Sequence, residues 1–149
     1  MTGPIQVQAT VVALRQGDDW VGAALTGPSG VGKTGLALRL MAQGWQLVAD
    51  DAALVWASGG HLWARAPRAT SGLIEARGVG LISTPHRDVC RLALTVTLGL
   101  DEPERMPDPV HEIWLGLPLR SIAVQARAEA APRIVALALA EAVRRPVSP

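Results

Sequence analysis

The chain opens with a segment in which apolar and polar residues alternate. Along Ile5–Leu14 the glutamines fall on one side and Ile5 and Val7 on the other, which predicts a β-strand. The polar turn RQGDD follows, and the apolar run Trp20–Leu25 then predicts a second strand leading directly into a glycine-rich segment. The pattern therefore predicts two strands before the first loop that carries chemistry.

The spacing of apolar residues changes after Thr34. They now recur three and four positions apart, which is typical of a helix; they are Leu36, Ala37, Leu40 and Met41. Gly44 is placed to end that helix. Trp45–Ala49 then predicts a short buried strand, and its carboxyl end delivers Asp50 and Asp51.

The remainder of the chain predicts further strands. The apolar runs on either side of Ser58–Gly60 predict a hairpin, and Arg91–Leu100 predicts another strand. The Pro- and acid-rich segment Asp101–Pro109 predicts an exposed loop. A last strand is expected at about Leu117–Val124, before an Ala- and Leu-rich helix at Pro132–Val143.

These elements predict an α/β fold that is rich in strands and has few helices. A chain of 149 residues can build one domain with a sizeable core but is short for two, so residues 1–149 are expected to form a single domain. Because the sequence has no Phe and no Tyr, Leu, Val, Ala and Ile must fill that core.

Charge and cysteine content exclude several classes of function. The formal net charge is +1, which gives no overall attraction to nucleic acid or to a membrane surface. Cys90 is the only cysteine, so no intrachain disulfide can form, and we interpret it as a small buried residue at the start of a strand. The N-terminus lacks a signal-peptide pattern, and apolar runs such as Ile134–Ala140 are too short to span a bilayer. We therefore expect a cytoplasmic protein.

The glycine-rich segment GPSGVGKT, Gly27 to Thr34, fits the phosphate-binding pattern G-x-x-x-x-G-K-[ST]. Glycines let backbone N–H groups surround anionic oxygens, and the helix that follows points its positive end at them. The predicted nucleotide-binding residues are Gly27, Ser29, Gly30, Val31, Gly32, Lys33 and Thr34. Among these, Lys33 would reach the β- and γ-phosphates, and the hydroxyl of Thr34 would bind Mg²⁺.

The adjacent aspartates Asp50 and Asp51 suggest the reaction. A carboxylate after a buried strand commonly holds Mg²⁺ or its water, whereas a second acid is often only a turn residue or a helix cap. Two close carboxylates beside a phosphate loop can also divide the work, one holding the metal and the other accepting a proton from an attacking hydroxyl. This interpretation points to phosphoryl transfer onto an alcohol or water.

Three segments together resemble the catalytic domain of HPr kinase/phosphorylase: TGPSGVGKTGLALRL, GWQLVADD and EARGVG, the last at Glu75–Gly80. The resemblance covers about residues 6–119 and is nearest to a short, single-domain proteobacterial form. It implies the strand-rich P-loop fold shared with phosphoenolpyruvate carboxykinases. It also implies ATP- and Mg²⁺-dependent phosphorylation of a serine in the phosphocarrier protein HPr, and removal of that group with inorganic phosphate.

The resemblance also implies roles for individual residues. Thr34, Asp50 and Glu75 would surround Mg²⁺, and Asp51 would be the catalytic base. Lys33 and Arg77 would stabilise the charge on the transferred group. Without the resemblance, Glu75 and Arg77 would be interpreted as an ordinary surface ion pair beside a glycine turn.

Some features depart from the family pattern. Gln8 stands where the family has a histidine that interacts with the aspartate pair. The chain also lacks an Arg/Gly/Asn-rich stretch of the family's longer members, for which Arg127 and Arg133 are the only candidate stand-ins. Two other hypotheses therefore stay open: a non-catalytic sensor of ATP or phosphate, and a kinase of small molecules on the same scaffold. The family also implies a homo-oligomer. The three histidines have no spacing that suggests a metal site.

Overall fold

The computed structural model describes residues 3–147, which form strands, two α-helices and one short 3₁₀ helix at Arg68–Thr70. The helices are α1 (Lys33–Met41) and α2 (Ala131–Arg144). The strands are β1 (Ile5–Val7), β2 (Thr10–Gln16), β3 (Asp19–Thr26), β4 (Gln46–Ala49), β5 (Ala53–Ser58), β6 (His61–Arg65), β7 (Leu73–Ala76), β8 (Gly80–Ser83), β9 (Cys90–Gly99), β10 (Val110–Trp114) and β11 (Leu117–Gln125).

Nine of these strands form one sheet, and β7 and β8 form a separate hairpin. The order in the large sheet is β1-β5-β6-β9-β3-β2-β4, with β11 also pairing with β9 and β10 pairing with β11. Strand β9 runs parallel to β3 and to β11, and the other pairs are antiparallel. The sheet is therefore mixed. The carboxyl end of β3 lies beside that of β9 and leads into the glycine loop, Gly27 to Thr34.

The large sheet is strongly curved. In a flat sheet, β4 and β5 would lie about 24 Å apart, because they are five places apart in the strand order. Only residues 50–52 connect them, and such a link spans at most about 14 Å. The sheet must therefore bend until its two ends meet.

The two ends meet at a break in the strand pairing. Strand β1 pairs with β5 as far as Val7↔Ala53, and β2 pairs with β4 from Val11↔Ala49. Residues 50–52 lie between these two registers, so the chain there is outside the ladder. Asp50 and Asp51 therefore lie at this break, outside the strand pairing.

Apolar residues fill both faces of the curved sheet. One cluster lies under the helices and includes Leu36 and Leu40 of α1, Val135 and Leu139 of α2, and Leu94 of β9. A second cluster, rich in alanine and valine, lies on the opposite face. Small side chains suit this face because residues of β4 and β5, from the two ends of the sheet, pack together on it.

The strand-rich α/β fold predicted from the sequence is confirmed. Both helices lie within two residues of their expected bounds. One continuous strand at Ile5–Leu14 was a wrong prediction, because the chain leaves the ladder at Gln8 and Ala9 when it changes partner from β5 to β3 and β4. The hairpin β7–β8 and strand β10 were not predicted. Within residues 3–147, neither helix combines the length and hydropathy needed to cross a lipid bilayer.

Candidate active site

The glycine loop connects the end of β3 to the start of α1. Helix α1 begins at Lys33, directly after Gly32, whose φ is 110°. No side chain in the described part of the chain caps this helix end. The first N–H groups of α1 therefore remain available to an anionic ligand, as expected for a phosphate loop. Ser29 and Gly30 are exposed at the loop tip, whereas Val31 is buried beneath it.

Lys33 folds back over the loop that precedes it. Its Nζ atom donates hydrogen bonds to the carbonyl oxygens of Gly27, at 2.6 Å, and Pro28, at 3.3 Å. The same atom lies 4.0 Å from Oδ1 of Asp51. The Lys33 side chain is only 6% exposed, so its ammonium group is held at the base of the loop rather than in bulk water.

The carboxylate of Asp50 joins three separate elements. Its Oδ1 accepts hydrogen bonds from the hydroxyl groups of Thr34 in α1, at 3.0 Å, and Thr10 in β2, at 3.1 Å. Its Oδ2 accepts a hydrogen bond from the backbone N–H of Glu75 in β7, at 3.0 Å. Asp50 therefore fixes the position of hairpin β7–β8 relative to the glycine loop.

Asp51 adopts a backbone conformation that is rare outside glycine. Its φ is 64°, and the N–H of Ala52 donates to the carbonyl of Asp50 at 2.8 Å, which closes a three-residue turn around it. The N–H of Asp51 donates to the hydroxyl of Thr10 at 3.1 Å. Its side chain is 67% exposed, so the carboxylate is accessible from solvent while remaining close to Lys33.

Two of the three residues predicted to hold Mg²⁺ are in direct contact. The hydroxyl of Thr34 donates its proton to Asp50, which leaves its lone pairs free for a cation. Residues 3–147 contain no group of three or more His, Cys, Asp or Glu side chains arranged to hold a metal. Mg²⁺ usually takes only one or two protein carboxylates and completes its shell with phosphate oxygens and water, so Thr34 and Asp50 fit it.

The structure places Glu75 and Arg77 differently from the other predicted residues. Glu75 meets Asp50 through its backbone, and its side chain is exposed. Arg77 is exposed on the turn of hairpin β7–β8, where the N–H of Val79 donates to the carbonyl of Ala76 at 3.0 Å. Within the described residues the two side chains form no ion pair with each other, which contradicts their interpretation as a surface pair.

Thr10 belongs to the site although sequence reasoning did not identify it. It is completely buried and contacts both aspartates, which lie 40 and 41 positions further along the chain. The only signal in the sequence that could have identified Thr10 is that it is a polar residue within an apolar strand. Gln8, in contrast, is exposed and forms no side-chain hydrogen bond in the described part of the chain.

The remaining candidate residues have structural roles. Cys90 is buried, as predicted, and begins β9. Burial raises the pKa of its thiol to about 12. His86 contacts the carbonyl of Thr84 and the carboxylate of Asp88 at the surface, as expected for a loop histidine.

Comparisons with known proteins identify relatives of this chain. A family model described as "HPr Serine kinase C-terminal domain" matches residues 17–87. The HPr kinase/phosphorylase of Leptothrix cholodnii is 37% identical over 141 residues, covering 85% of this chain and 42% of the relative. The HPr kinase/phosphorylase of Bordetella pertussis is 36% identical over 140 residues, covering 85% of this chain and 44% of the relative.

A solved structure shares the fold. The HPr(Ser) kinase/phosphatase from Coxiella burnetii superposes with a TM-score of 0.75 at 24% identity, covering 94% of this chain and 96% of that chain. The chain spans less than half the length of the curated relatives cited above. The matched range 17–87 contains the glycine loop, both aspartates and hairpin β7–β8. The chain belongs to the HPr serine kinase C-terminal domain family.

Proposed function

We propose that this domain catalyses transfer of the γ-phosphoryl group of ATP to a serine of the phosphocarrier protein HPr or a homologue, in the cytoplasm. The observation that supports this proposal best is the distance of 4.0 Å between Lys33 Nζ and Asp51 Oδ1 at the base of the glycine loop. A phosphate-binding cation and a free carboxylate at that distance suit transfer to a hydroxyl group.

The glycine loop would bind the phosphates of the nucleotide. Its N–H groups and the uncapped start of α1 provide donors for anionic oxygens. In the structure, the ammonium group of Lys33 is bound by two loop carbonyls, so phosphate oxygens would compete with them for the same donors. The positive charge of Lys33 would stabilise the negative charge that accumulates on the transferred group.

Asp51 would act as the general base. It would accept the proton of the serine hydroxyl while the serine oxygen forms a bond to the γ-phosphorus and the bond from that phosphorus to the bridging oxygen of ADP breaks. Its exposed carboxylate can be reached by a side chain that another protein presents. Arg77, on the neighbouring hairpin turn, would supply further positive charge to the transition state.

Thr34 and Asp50 would hold Mg²⁺ together with phosphate oxygens, and the Glu75 side chain would be the third protein ligand. Bound there, the ion would neutralise charge on the β- and γ-phosphates. Asp50 already orients the hydroxyl of Thr34, so the protein needs little rearrangement to present these two ligands.

The names of the relatives also include phosphorylase, and the same residues support that reaction. Inorganic phosphate in the glycine loop would attack the phosphorus of phosphoserine. Asp51, protonated, would return its proton to the departing serine oxygen, and the second product would be pyrophosphate. Pyrophosphate release from phospho-HPr and inorganic phosphate would measure this direction.

The decisive experiment is mass spectrometry of HPr after incubation with this domain and Mg-ATP. We expect one phosphoserine on HPr, and we expect Lys33→Ala and Asp51→Asn to slow its formation by at least about 100-fold. Asp18→Asn is the matched control, because this exposed acid lies in the turn between β2 and β3, at the opposite end of β3 from the glycine loop. Equal transfer by the parent and both site variants would disprove the assignment.

The two alternatives from the sequence give different outcomes in the same assay. ATP binding without phosphorylation of any phosphocarrier would identify a sensor. Phosphorylation of a metabolite hydroxyl, with none on protein, would identify a small-molecule kinase.

A further inference from the structure

Thr10 lies where the strand pairing breaks, directly beneath the two aspartates. It is completely buried, and its hydroxyl is within 3.1 Å of both the Asp50 carboxylate and the Asp51 backbone nitrogen. We propose that Thr10 is a positioning residue that fixes the backbone of Asp51 and so directs its carboxylate toward the transferred phosphoryl group. This inference rests on the proposed kinase function.

The direction of each hydrogen bond follows from chemistry. A backbone N–H can only donate, so the Thr10 oxygen must accept the proton of Asp51 N–H. The hydroxyl proton of Thr10 then points to the other partner, Oδ1 of Asp50. The result is an ordered chain from the Asp51 amide through Thr10 to the Asp50 carboxylate, in which each hydrogen bond strengthens the next.

Asp51 needs such support because of its backbone. With φ at 64°, a residue that carries a side chain is in a conformation it rarely adopts, and surrounding contacts must hold it there. Two contacts do so: the Thr10 hydroxyl holds the amide of Asp51, and the hydrogen bond from Ala52 to Asp50 closes the turn. Loss of the hydroxyl would leave the partly buried amide of Asp51 without this partner and allow Asp51 to relax away from Lys33.

Asp50 depends on Thr10 much less than Asp51 does. Without Thr10, its carboxylate would still accept hydrogen bonds from the Thr34 hydroxyl and the Glu75 amide. The part of the site proposed to bind Mg-ATP should therefore survive the substitution. Thr10 thus acts on the catalytic base rather than on nucleotide binding. Its loss should therefore lower kcat and leave KM for Mg-ATP nearly unchanged.

Four variants isolate the hydroxyl group. Thr10→Val keeps the volume and removes the hydroxyl; Thr10→Ser and Thr10→Ala both lose the γ-methyl group and differ only in the hydroxyl. We expect Thr10→Val and Thr10→Ala to lower kcat for phosphorylation of HPr by roughly 10- to 100-fold, with KM for Mg-ATP changed by less than about threefold. Thr10→Ser should keep most of the activity. The fourth variant, Thr10→Val in an Asp51→Asn background, should lower the residual kcat no further than Asp51→Asn alone.

A nearly equal kcat for Thr10→Ser and Thr10→Ala would overturn the inference, as would fully multiplicative losses in the double variant. Thr10→Ser and Thr10→Ala both lack the γ-methyl group, so the comparison between them tests the hydroxyl even if Thr10→Val fails to fold.

A second measurement separates this inference from the proposed function. Absence of phosphoserine on HPr with the parent protein would refute the kinase proposal only. Hydrogen exchange at the Asp51 amide, followed by NMR, would still test Thr10. We expect protection in the parent and in Thr10→Ser and its loss in Thr10→Ala. Equal protection in all three would show that Thr10 does not hold Asp51.

Discussion

A Cβ atom added to Gly32 would lie 3.1 Å from the Cβ of Ala126, so the last glycine of the phosphate loop packs against the segment before α2. Gly32 also has a φ of 110°, which a residue with a side chain rarely adopts. We expect Gly32→Ala to lower the free energy of unfolding by about 1–2 kcal/mol and to weaken ATP binding. Urea denaturation and calorimetric titration with ATP measure the two effects.

Gly35 provides the matched control for Gly32. It lies within α1, no φ strain applies, and an added Cβ would meet no atom within 4 Å. Gly35→Ala should therefore raise the free energy of unfolding by about 0.5–1 kcal/mol, because alanine favours helix. If both substitutions destabilise the protein equally, the packing of Gly32 described here is wrong.

The positive φ of Asp51 predicts an order of stability among its variants. Glycine adopts this conformation without strain and asparagine does so more readily than most residues, whereas alanine has no compensating contact. We expect Asp51→Gly to be the most stable, then Asp51→Asn, with Asp51→Ala lower than Asp51→Gly by about 1 kcal/mol. Denaturant midpoints of the three proteins test the order, and equal midpoints would contradict it.

Arg39 links the last turn of α1 to the segment that precedes α2. Its guanidinium group donates to the carbonyls of Ala126 and Ala128, each at 2.9 Å, and of Glu129, at 3.1 Å. Arg39→Met should cost about 1.5–3 kcal/mol, because charged donors form the stronger hydrogen bonds. Arg39→Lys should recover only part of this, since one ammonium group cannot reproduce the planar fork.

Arg15 is the control for Arg39. Its Nε donates to a single nearby carbonyl, that of Gly17, at an exposed hairpin. Arg15→Met should change the free energy of unfolding by less than about 0.5 kcal/mol. A cost for Arg39→Met as small as that for Arg15→Met would show that the Arg39 contacts contribute little.

Cys90 predicts how stability changes at alkaline pH. Burial raises the pKa of its thiol from 9.0 to about 12, so between these pH values the unfolded chain loses a proton that the folded chain retains. Stability should be fully present below pH 9 and should fall as pH rises toward 12, by up to about 1.4 kcal/mol per pH unit. The sequence has no tyrosine, so this region of the titration is unusually simple.

Cys90→Ala should remove that part of the slope. Unfolding free energies of the parent and of Cys90→Ala, measured at intervals from pH 8 to pH 11, give the comparison. Parallel curves over this range would mean that the thiol is not protected by burial.

The sequence predicted the fold wherever one local pattern dominated. The helical spacing after Thr34 and the run at Arg91–Leu100 each correspond to one element. The pattern at Ile5–Leu14 was misleading, because alternation continues unbroken across Gln8 and Ala9 although the chain changes its pairing partner there. A change of partner depends on the curvature of the whole sheet, and no local spacing records it.

The site followed the same rule. Thr34 and Asp50 could be placed together because the phosphate loop and the end of the strand that follows α1 lie side by side in this kind of fold. Thr34 Oγ1 and Asp50 Oδ1 are 3.0 Å apart. The contact of Asp50 with Thr10 joins residues 40 positions apart, and nothing in the spacing indicates it. Hairpin β7–β8 was missed because β8 is short and exposed at all four positions, so no alternation of apolar and polar residues marks it.

Lys33 is the only lysine among the 149 residues, and its side chain is 6% exposed. Reagents that acylate amines can therefore modify just one side chain in this protein, and they must reach the base of the glycine loop to do so. A slow acylation that ATP suppresses would report nucleotide binding at the loop directly, without an assay of turnover. Lysine acetylation could affect the domain only through that same atom.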